Sequence, residues 1–285
     1  KHRYWVFVIT AGILLISIYY TTKIQINSSL LQEIPRNNPI LKDYNFIETQ
    51  FSGTRPFEMA LLLKDSNNSF LDIEVVREIE ELSSFLKDSC HVGMLVNHLS
   101  FVKSARQAYF EGNPAEYIVP NTENDVYFLC NKIANSEWMD EFQKYMTVDK
   151  RYARVSGKLP DLTTIEFNAL NTKIENFFKT KGTFHFTYKL TGSGVMLDKT
   201  TFSLTSNMLW GLLIDIALIS LISGIMFRSF RMVLIALIPN IIPVFIMFAI
   251  MGMSGIFLKA NTSFIFAIAF GIFVALYDFF QARIT

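Results

Sequence analysis

The sequence contains few of the residues from which metal and disulfide sites are built. Its 285 residues include two cysteines and four histidines, and their spacing fits no Cys/His zinc site. No Gly-rich phosphate loop, nucleophile elbow or HExxH motif occurs, so no enzyme activity, metal or cofactor is predicted. The 26 basic and 25 acidic residues nearly balance, so net charge gives no indication of nucleic-acid binding.

Charge is scarce, and apolar residues are abundant. Charged residues make up 18% of the chain and hydrophobic residues 51%, including 27 phenylalanines. This composition excludes a disordered chain. The longest apolar runs cluster at the two ends of the sequence, which is atypical of an ordinary soluble enzyme and directs attention to membrane spans.

The first apolar run begins almost at the start of the sequence. Tyr4–Tyr20 carries no charge and follows the basic residues Lys1–Arg3. It is about the shortest run that can cross a bilayer. A signal peptide is the alternative, but the run ends in tyrosines and threonines rather than in a small-residue cleavage site.

Three further spans are predicted near the other end. Met208–Phe227 is interrupted only by Asp215, Met232–Gly252 has no charge, and Thr262–Phe280 has one charge at Asp278. Runs of this length exceed a typical core helix of a soluble protein.

Basic residues predict the orientation of these spans. Lys1–Arg3, Arg228, Arg231 and Arg283 fall on one side of four alternating spans, and this side is expected to be cytoplasmic. The predicted organisation is a first span in residues 1–22, an extracytoplasmic domain in residues 23–206, and spans two to four in residues 207–285, at about 208–227, 232–252 and 262–280.

The segment between the first two spans has the composition of a folded α+β domain. Periodicity and helix caps predict its elements. These are strands at Phe57–Lys64, Tyr152–Gly157 and Phe184–Leu190, helices from Asp72 to Lys87 and from Thr163 to Lys179, and a helical stretch at Leu95–Phe110. The predicted fold class is therefore a membrane protein, with a four-span α-helical bundle and a large extracytoplasmic α+β domain of βαβ-like layers.

Four short motifs resemble those of one transporter superfamily. They are Leu190–Gly194 (LTGSG), Phe227–Arg231 (FRSFR), Leu237–Pro243 (LIPNIIP) and Ala269–Ile272 (AFGI). In sequence and layout the chain resembles a half-repeat of the resistance-nodulation-division (RND) superfamily, in its MMPL/Patched-like branch of lipid and hydrophobic-molecule exporters.

The resemblance implies a function and a set of partners. It implies export of lipids or other hydrophobic molecules driven by the proton gradient, in a bacterial inner membrane, with a porter-type domain in the periplasm. The implied partners are membrane lipids, a hydrophobic substrate, and a second transporter repeat in the same longer chain or in a partner subunit. A Patched-like or sterol-sensing-like protein that binds lipid without active transport is the main alternative. A tethered accessory domain that the spans only anchor is another.

The resemblance also directs attention to a proton relay. At the positions of the family's acidic pair in span four, this chain has Ala275 and Leu276. Asp215 and Asp278 are the acidic residues within the predicted spans, and they are therefore the relay candidates. Asp278 has an alternative role as an interfacial carboxylate, and Asp215 as a hydrogen-bonding partner of a neighbouring span, for example of Asn240.

Two motifs within the spans have a conformational interpretation. Pro239, Asn240 and Pro243 predict a kink in span three, because each proline removes a backbone donor. Prolines are also tolerated in membrane helices without a special role. Gly271 and Ile272 are the span-four motif that the resemblance identifies.

The two cysteines both fall within the predicted extracytoplasmic domain. Cys90 and Cys130 lie in a compartment that permits disulfides, so a bridge between them is one prediction. Two buried thiols are the other.

Overall fold

The computed structural model describes residues 3–24, 34, 37–228 and 230–259, together with residues 262, 264, 265, 268, 271 and 272. Within these residues the chain forms nine α-helices and four β-strands. The helices are α1 (Arg3–Thr21), α2 (Ile40–Gln50), α3 (Ile73–Asp88), α4 (His98–Tyr109), α5 (Glu123–Ala134), α6 (Met139–Gln143), α7 (Thr164–Lys181), α8 (Gly192–Phe227) and α9 (Phe230–Ser254). The strands are β1 (Arg55–Leu63), β2 (Gly93–Val96), β3 (Tyr152–Leu159) and β4 (Phe186–Thr191).

The chain divides into two compact units. One comprises Lys1–Ser28 and Asp198–Thr285, and the other is Ser29–Leu197. The second unit contains all four strands of the described chain and is called the sheet unit below.

The four strands form one antiparallel sheet in the order β2-β3-β1-β4. Met59 of β1 lies opposite Val155 of β3 on one side and opposite Leu190 of β4 on the other. The predicted βαβ-like layers occur in split form. Strands β1 and β2 both pair antiparallel with β3, so they are parallel to each other with β3 between them, and β3 and β4 are likewise parallel on the two sides of β1.

One face of the sheet is buried and the other is partly exposed. Alternate residues of β1 and β3 are buried, as expected for an antiparallel sheet covered on one side. On the opposite face Glu58 of β1 pairs with Arg154 of β3 at 2.7 Å. The buried apolar residues of these two strands are Phe57, Met59, Leu61, Leu63, Ala153, Val155 and Leu159.

Helices α3 and α7 cover the buried face through their apolar stripes. Val76, Ile79 and Leu82 of α3 are fully buried, and the ring of Phe85 stacks on Phe177 of α7 with centroids 4.0 Å apart. Many of the phenylalanines therefore serve the core of the sheet unit, where aromatic side chains bury large apolar areas.

Local sequence signals located strands β1, β3 and β4 and helices α3 and α7 of the sheet unit correctly. Helix α3 starts after Asp72, and α7 starts with the predicted capping box, in which Glu166 accepts a hydrogen bond from the Thr163 amide at 2.8 Å. The predicted helical stretch Leu95–Phe110 is partly wrong, because its first residues belong to β2. Asn97 then breaks the strand and caps α4.

The predicted four-span transmembrane bundle is wrong. Among the residues that the structure describes, one helical segment, Gly192–Ile222, is long and apolar enough to cross a membrane. The apolar segments Gly12–Thr21 and Ile241–Ser254 are shorter, and most of the predicted span Thr262–Phe280 lies outside the described residues. An apolar run shows only that a segment avoids water. Buried core helices and signal sequences have the same composition, so the runs alone did not determine a bundle.

The first unit contains α1, the larger part of α8, and α9. The end of α1 packs closely against α9 at Gly252, where an added Cβ atom would lie 2.3 Å from the carbonyl oxygen of Tyr20. A side chain at this position would force the two helices apart. Nearby, Met251 and Leu258 are buried against Ile24 and Met247.

Candidate functional site: a cavity between α4 and α5

A cavity of about 730 Å³ lies between helices α4 and α5 of the sheet unit. This volume falls within the range of pockets that hold small organic ligands. The described residues that line this α4–α5 cavity are mainly apolar and aromatic. They are Val96, Ser100, Phe101, Ser104, Ala105, Ala108, Tyr109, Tyr117, Leu129, Lys132, Ile133, Ser136 and Trp138.

Helix α4 forms one wall because its two faces differ in side-chain size. His98, Leu99 and Val102 are buried in the core, which fixes the rotation of the helix. The positions at helical spacing from Phe101 carry small side chains, including Ala105 and Ala108. Small side chains on a helix face leave space beside it, and here that space is the cavity.

The start of α4 is held by a reciprocal cap. The side chain of Asn97 accepts a hydrogen bond from the Ser100 amide at 3.1 Å, and the Ser100 hydroxyl accepts one from the Asn97 amide at 3.1 Å. Asn97 also donates to the hydroxyl of Ser83 on α3 at 2.9 Å. This cap therefore anchors the first turn of the cavity wall to a core helix.

Helix α5 forms the opposite wall and the floor. Thr122 caps it by accepting a hydrogen bond from the Asp125 amide at 3.3 Å. Leu129 and Ile133 are buried at the bottom of the cavity. Lys132 lies on the same helix, lines the cavity and is exposed.

Aromatic side chains form the rim of the cavity. Tyr109 is 59% exposed, Tyr117 43% and Trp138 64%. The ring of Tyr109 meets the ring of Phe128 edge to face, with centroids 5.5 Å apart. Exposed aromatic rings that meet at one opening are typical of sites that bind other molecules.

Two ion pairs hold α4 to its neighbours near Tyr117. Arg106 of α4 binds Glu116 through two nitrogens at 2.8 and 2.9 Å, which fastens the 3-10 turn Pro114–Glu116 to the helix. Lys103 pairs with Glu80 of α3 at 2.8 Å, and its ammonium lies 5.4 Å from the centre of the Tyr117 ring. The pair with Glu116 therefore holds the Tyr117 segment against α4.

A neutral histidine lies in the core at the first turn of α4. His98 is fully buried, and its Nε2 lies 3.2 Å from the carbonyl oxygen of Phe70. Its Nδ1 has no hydrogen-bonding partner among the described residues. Burial lowers the pKa of His98 to about 4, because the apolar surroundings disfavour the imidazolium.

The residues predicted as sites from the sequence do not line this cavity where they are described. Asp215 lies in α8 with its side chain exposed, and α9 runs through Pro239, Asn240 and Pro243. Gly271 and Ile272 have helical backbone and are exposed. Asp278, Ala275 and Leu276 lie outside the described residues. The proton relay and the span-three kink stay predictions.

Both cysteines are free thiols. Cys90 is buried and Cys130 partly buried, so of the two predictions for this pair the structure has thiols rather than a disulfide. Burial raises the pKa of each thiol to about 11, which makes both poor nucleophiles near neutral pH.

The sequence contained a signal for the cavity that the predictions missed. Thr122 followed by Asp125 is a helix start, and Val126, Leu129 and Ile133 form a short apolar stripe after it. This pattern predicts α5, the helix that supplies the floor and the one charged lining residue that the structure describes.

Comparisons with known protein families and with curated proteins found no match.

Proposed function

We propose that this chain binds a hydrophobic, lipid-like molecule in the α4–α5 cavity. The observation that carries the proposal is the cavity itself: about 730 Å³, apolar and aromatic in its lining, and open at a rim of exposed rings. Pockets for hydrophobic ligands combine such a lining with a few polar groups. Here the polar groups are serine hydroxyls and one lysine.

Helix α8 supports a location at a membrane. Its apolar segment Gly192–Ile222 is long enough to cross a bilayer. Leu213, Ile214 and Leu218 are each at least half exposed, and apolar surface of this extent needs lipid or protein to cover it. The proposal places the chain in a bacterial inner membrane, with residues 23–206 on the periplasmic side, where the cavity meets lipid-derived molecules.

Photo-crosslinking tests the binding site directly. The full chain in lipid nanodiscs is exposed to a neutral long-chain alcohol that carries a diazirine, and labelled residues are located by mass spectrometry. We expect labels on cavity residues such as Phe101, Leu129 and Trp138. Ser104→Trp is expected to reduce this labelling, because Ser104 is exposed on the cavity wall and an indole there occupies part of the space.

The matched control makes the same change elsewhere. Ser84 is exposed on α3 and does not line the cavity, so Ser84→Trp should leave labelling unchanged. Equal labelling of the two variants, or labels confined to α8, would contradict the proposal.

Export driven by the proton gradient is a second candidate function. It is favoured by Asp215, a carboxylate within the apolar segment of α8, because an ionisable group at membrane depth is costly and is usually functional. The RND resemblance of the sequence points the same way, with a second transporter repeat as partner. In vesicles with an imposed pH gradient, Asp215→Asn should abolish gradient-dependent lipid flux and leave ligand labelling intact. Unchanged flux in this variant would exclude Asp215 from coupling.

A further inference from the structure

The charge of the α4–α5 cavity indicates what kind of hydrophobic molecule it takes. Lys132 is the one charged residue among the described residues that line it. We infer that the ligand is an amphiphile with an acidic head group, and that Lys132 binds this head group at the rim. The inference rests on the proposed function, because it assumes that the cavity holds a hydrophobic molecule.

The position of Lys132 suits a head group rather than a tail. Leu129 and Ile133, three residues before it and one after it on α5, are buried at the cavity floor. The lysine itself is exposed, and its ammonium lies 5.4 Å from the centre of the Phe128 ring. A chain lying on the floor would therefore have its polar end near the ammonium.

The other lysine and arginine side chains of α4 and α5 have carboxylate partners. Lys103 pairs with Glu80 and Arg106 with Glu116, both at 2.8 Å. Lys132 forms no ion pair with any residue that the structure describes. Its positive charge is therefore available to a ligand, whereas the charges of Lys103 and Arg106 are already matched.

A cation beside an apolar cavity selects by charge. A carboxylate or phosphate gains a charge-assisted hydrogen bond from the ammonium. A hydroxyl head group gains a weaker bond, and an ammonium head group is repelled. Because Lys132 is exposed to water, solvent screening limits the gain, and we expect a preference of roughly fivefold for an acidic over a neutral head group of equal chain length.

Competition experiments measure this preference. The full chain in zwitterionic nanodiscs is labelled with the neutral diazirine alcohol at about pH 8.5, where carboxylates are ionised. Hexadecanoate, hexadecyl phosphate, hexadecanol and hexadecylamine then compete for the site. We expect both acids to compete roughly fivefold better than hexadecanol, and the amine to compete worst. The comparison of the two acids distinguishes a carboxylate ligand from a phosphate ligand.

Two variants and one control assign the effect to Lys132. Lys132→Gln should abolish the preference for acids, and Lys132→Glu should shift it towards hexadecylamine. Labelling by the neutral probe should weaken but stay measurable in both, because the probe keeps its apolar contacts when the bond from Lys132 is lost. Lys87 is also an exposed helical lysine without an ion pair among the described residues, and it lies outside the cavity lining, so Lys87→Gln should keep the preference.

The outcomes separate the two proposals. If the neutral probe does not label the cavity at all, the proposed binding function fails. If the probe labels the cavity but all four competitors act equally, or Lys132→Gln leaves the preference unchanged, the binding function stands and the acidic head group is refuted.

Discussion

The buried histidine at the start of α4 makes the stability of the sheet unit depend on pH. His98 is fully buried at the first turn of α4, and burial lowers its pKa from 6.5 to about 4. In the unfolded chain the imidazole takes up a proton as the pH falls below about 6.5. The folded chain does not take up this proton until near pH 4, so the free energy of unfolding falls with pH in this window.

The size of the effect follows from the two pKa values. Each whole unit between the folded and unfolded pKa is worth about 1.4 kcal/mol. Between about pH 7.5 and about pH 5, His98 should therefore remove about 2 kcal/mol from the free energy of unfolding. At pH values below its folded pKa the loss should approach about 3 kcal/mol.

Pulse proteolysis in urea can measure this loss on the full chain in a non-ionic detergent. His98→Gln keeps an amide that can donate to the Phe70 carbonyl but does not titrate. We expect the drop in unfolding free energy between the two pH values to be about 2 kcal/mol smaller in this variant than in the wild type. Carboxylates contribute to the drop in both proteins, and the comparison removes their effect.

A second histidine provides the control. His91 is exposed and has a positive φ of 55°, so asparagine, which tolerates that conformation, is the suitable replacement. His91→Asn should show the full wild-type drop. An equal drop in His98→Gln and the wild type would refute the assignment of a buried neutral imidazole to position 98.

Three further predictions concern other parts of the chain. Arg55 is buried and donates to the carbonyl oxygens of Leu162 and Gly194 at 2.8 and 3.2 Å. In urea titrations, Arg55→Ala should therefore lower the unfolding free energy by roughly 3 kcal/mol, and Arg55→Lys should lower it by less. Equal losses in the two variants would refute the role of the two hydrogen bonds. The thiols of Cys90 and Cys130 have pKa values of about 11. Mass spectrometry should show that they react with iodoacetamide about a hundredfold more slowly in the folded than in the unfolded chain. Fast labelling of the folded chain would contradict their burial. An impermeant maleimide added to intact spheroplasts, whose inner membrane is accessible from outside, should label a Ser84→Cys variant but not an Arg228→Cys variant. The reverse pattern would contradict the proposed orientation.

The elements that the sequence predicted correctly are those whose signals are local. The Thr163–Glu166 capping box and the alternation in Phe184–Leu190, which contains most of β4, each depend on a few neighbouring residues, and these residues determine helix starts and strand faces. Strand order has no such signal. The antiparallel pairing of β1 with β3 joins residues about a hundred positions apart, and the order of strands and helices along the chain does not show that β3 lies between β1 and β2.

The bundle prediction failed for a related reason. Apolar runs such as Met232–Gly252 measure how strongly a segment avoids water, and they do form helices, since α9 spans Phe230–Ser254. Whether lipid or protein covers such a helix depends on its surroundings and not on its own sequence. Gly252 shows this at one contact, where the backbone of α9 meets the end of α1 and the apolar residues nearby pack against protein.

The cavity itself could not be predicted from the residues of α4 alone. Ala105 and Ala108 on one helix face predict close approach of a second helix, because small side chains allow it. The structure instead places Leu129 and Ile133 of α5 only at the floor, and the segments bearing Tyr117 and Trp138 stand at the rim. The ion pair between Arg106 and Glu116 holds one of these segments in position. The space beside Ala105 and Ala108, which a neighbouring helix would usually occupy, is therefore left open to a ligand. This outcome depends on contacts among four separate segments of the chain: α4, α5 and the segments bearing Tyr117 and Trp138.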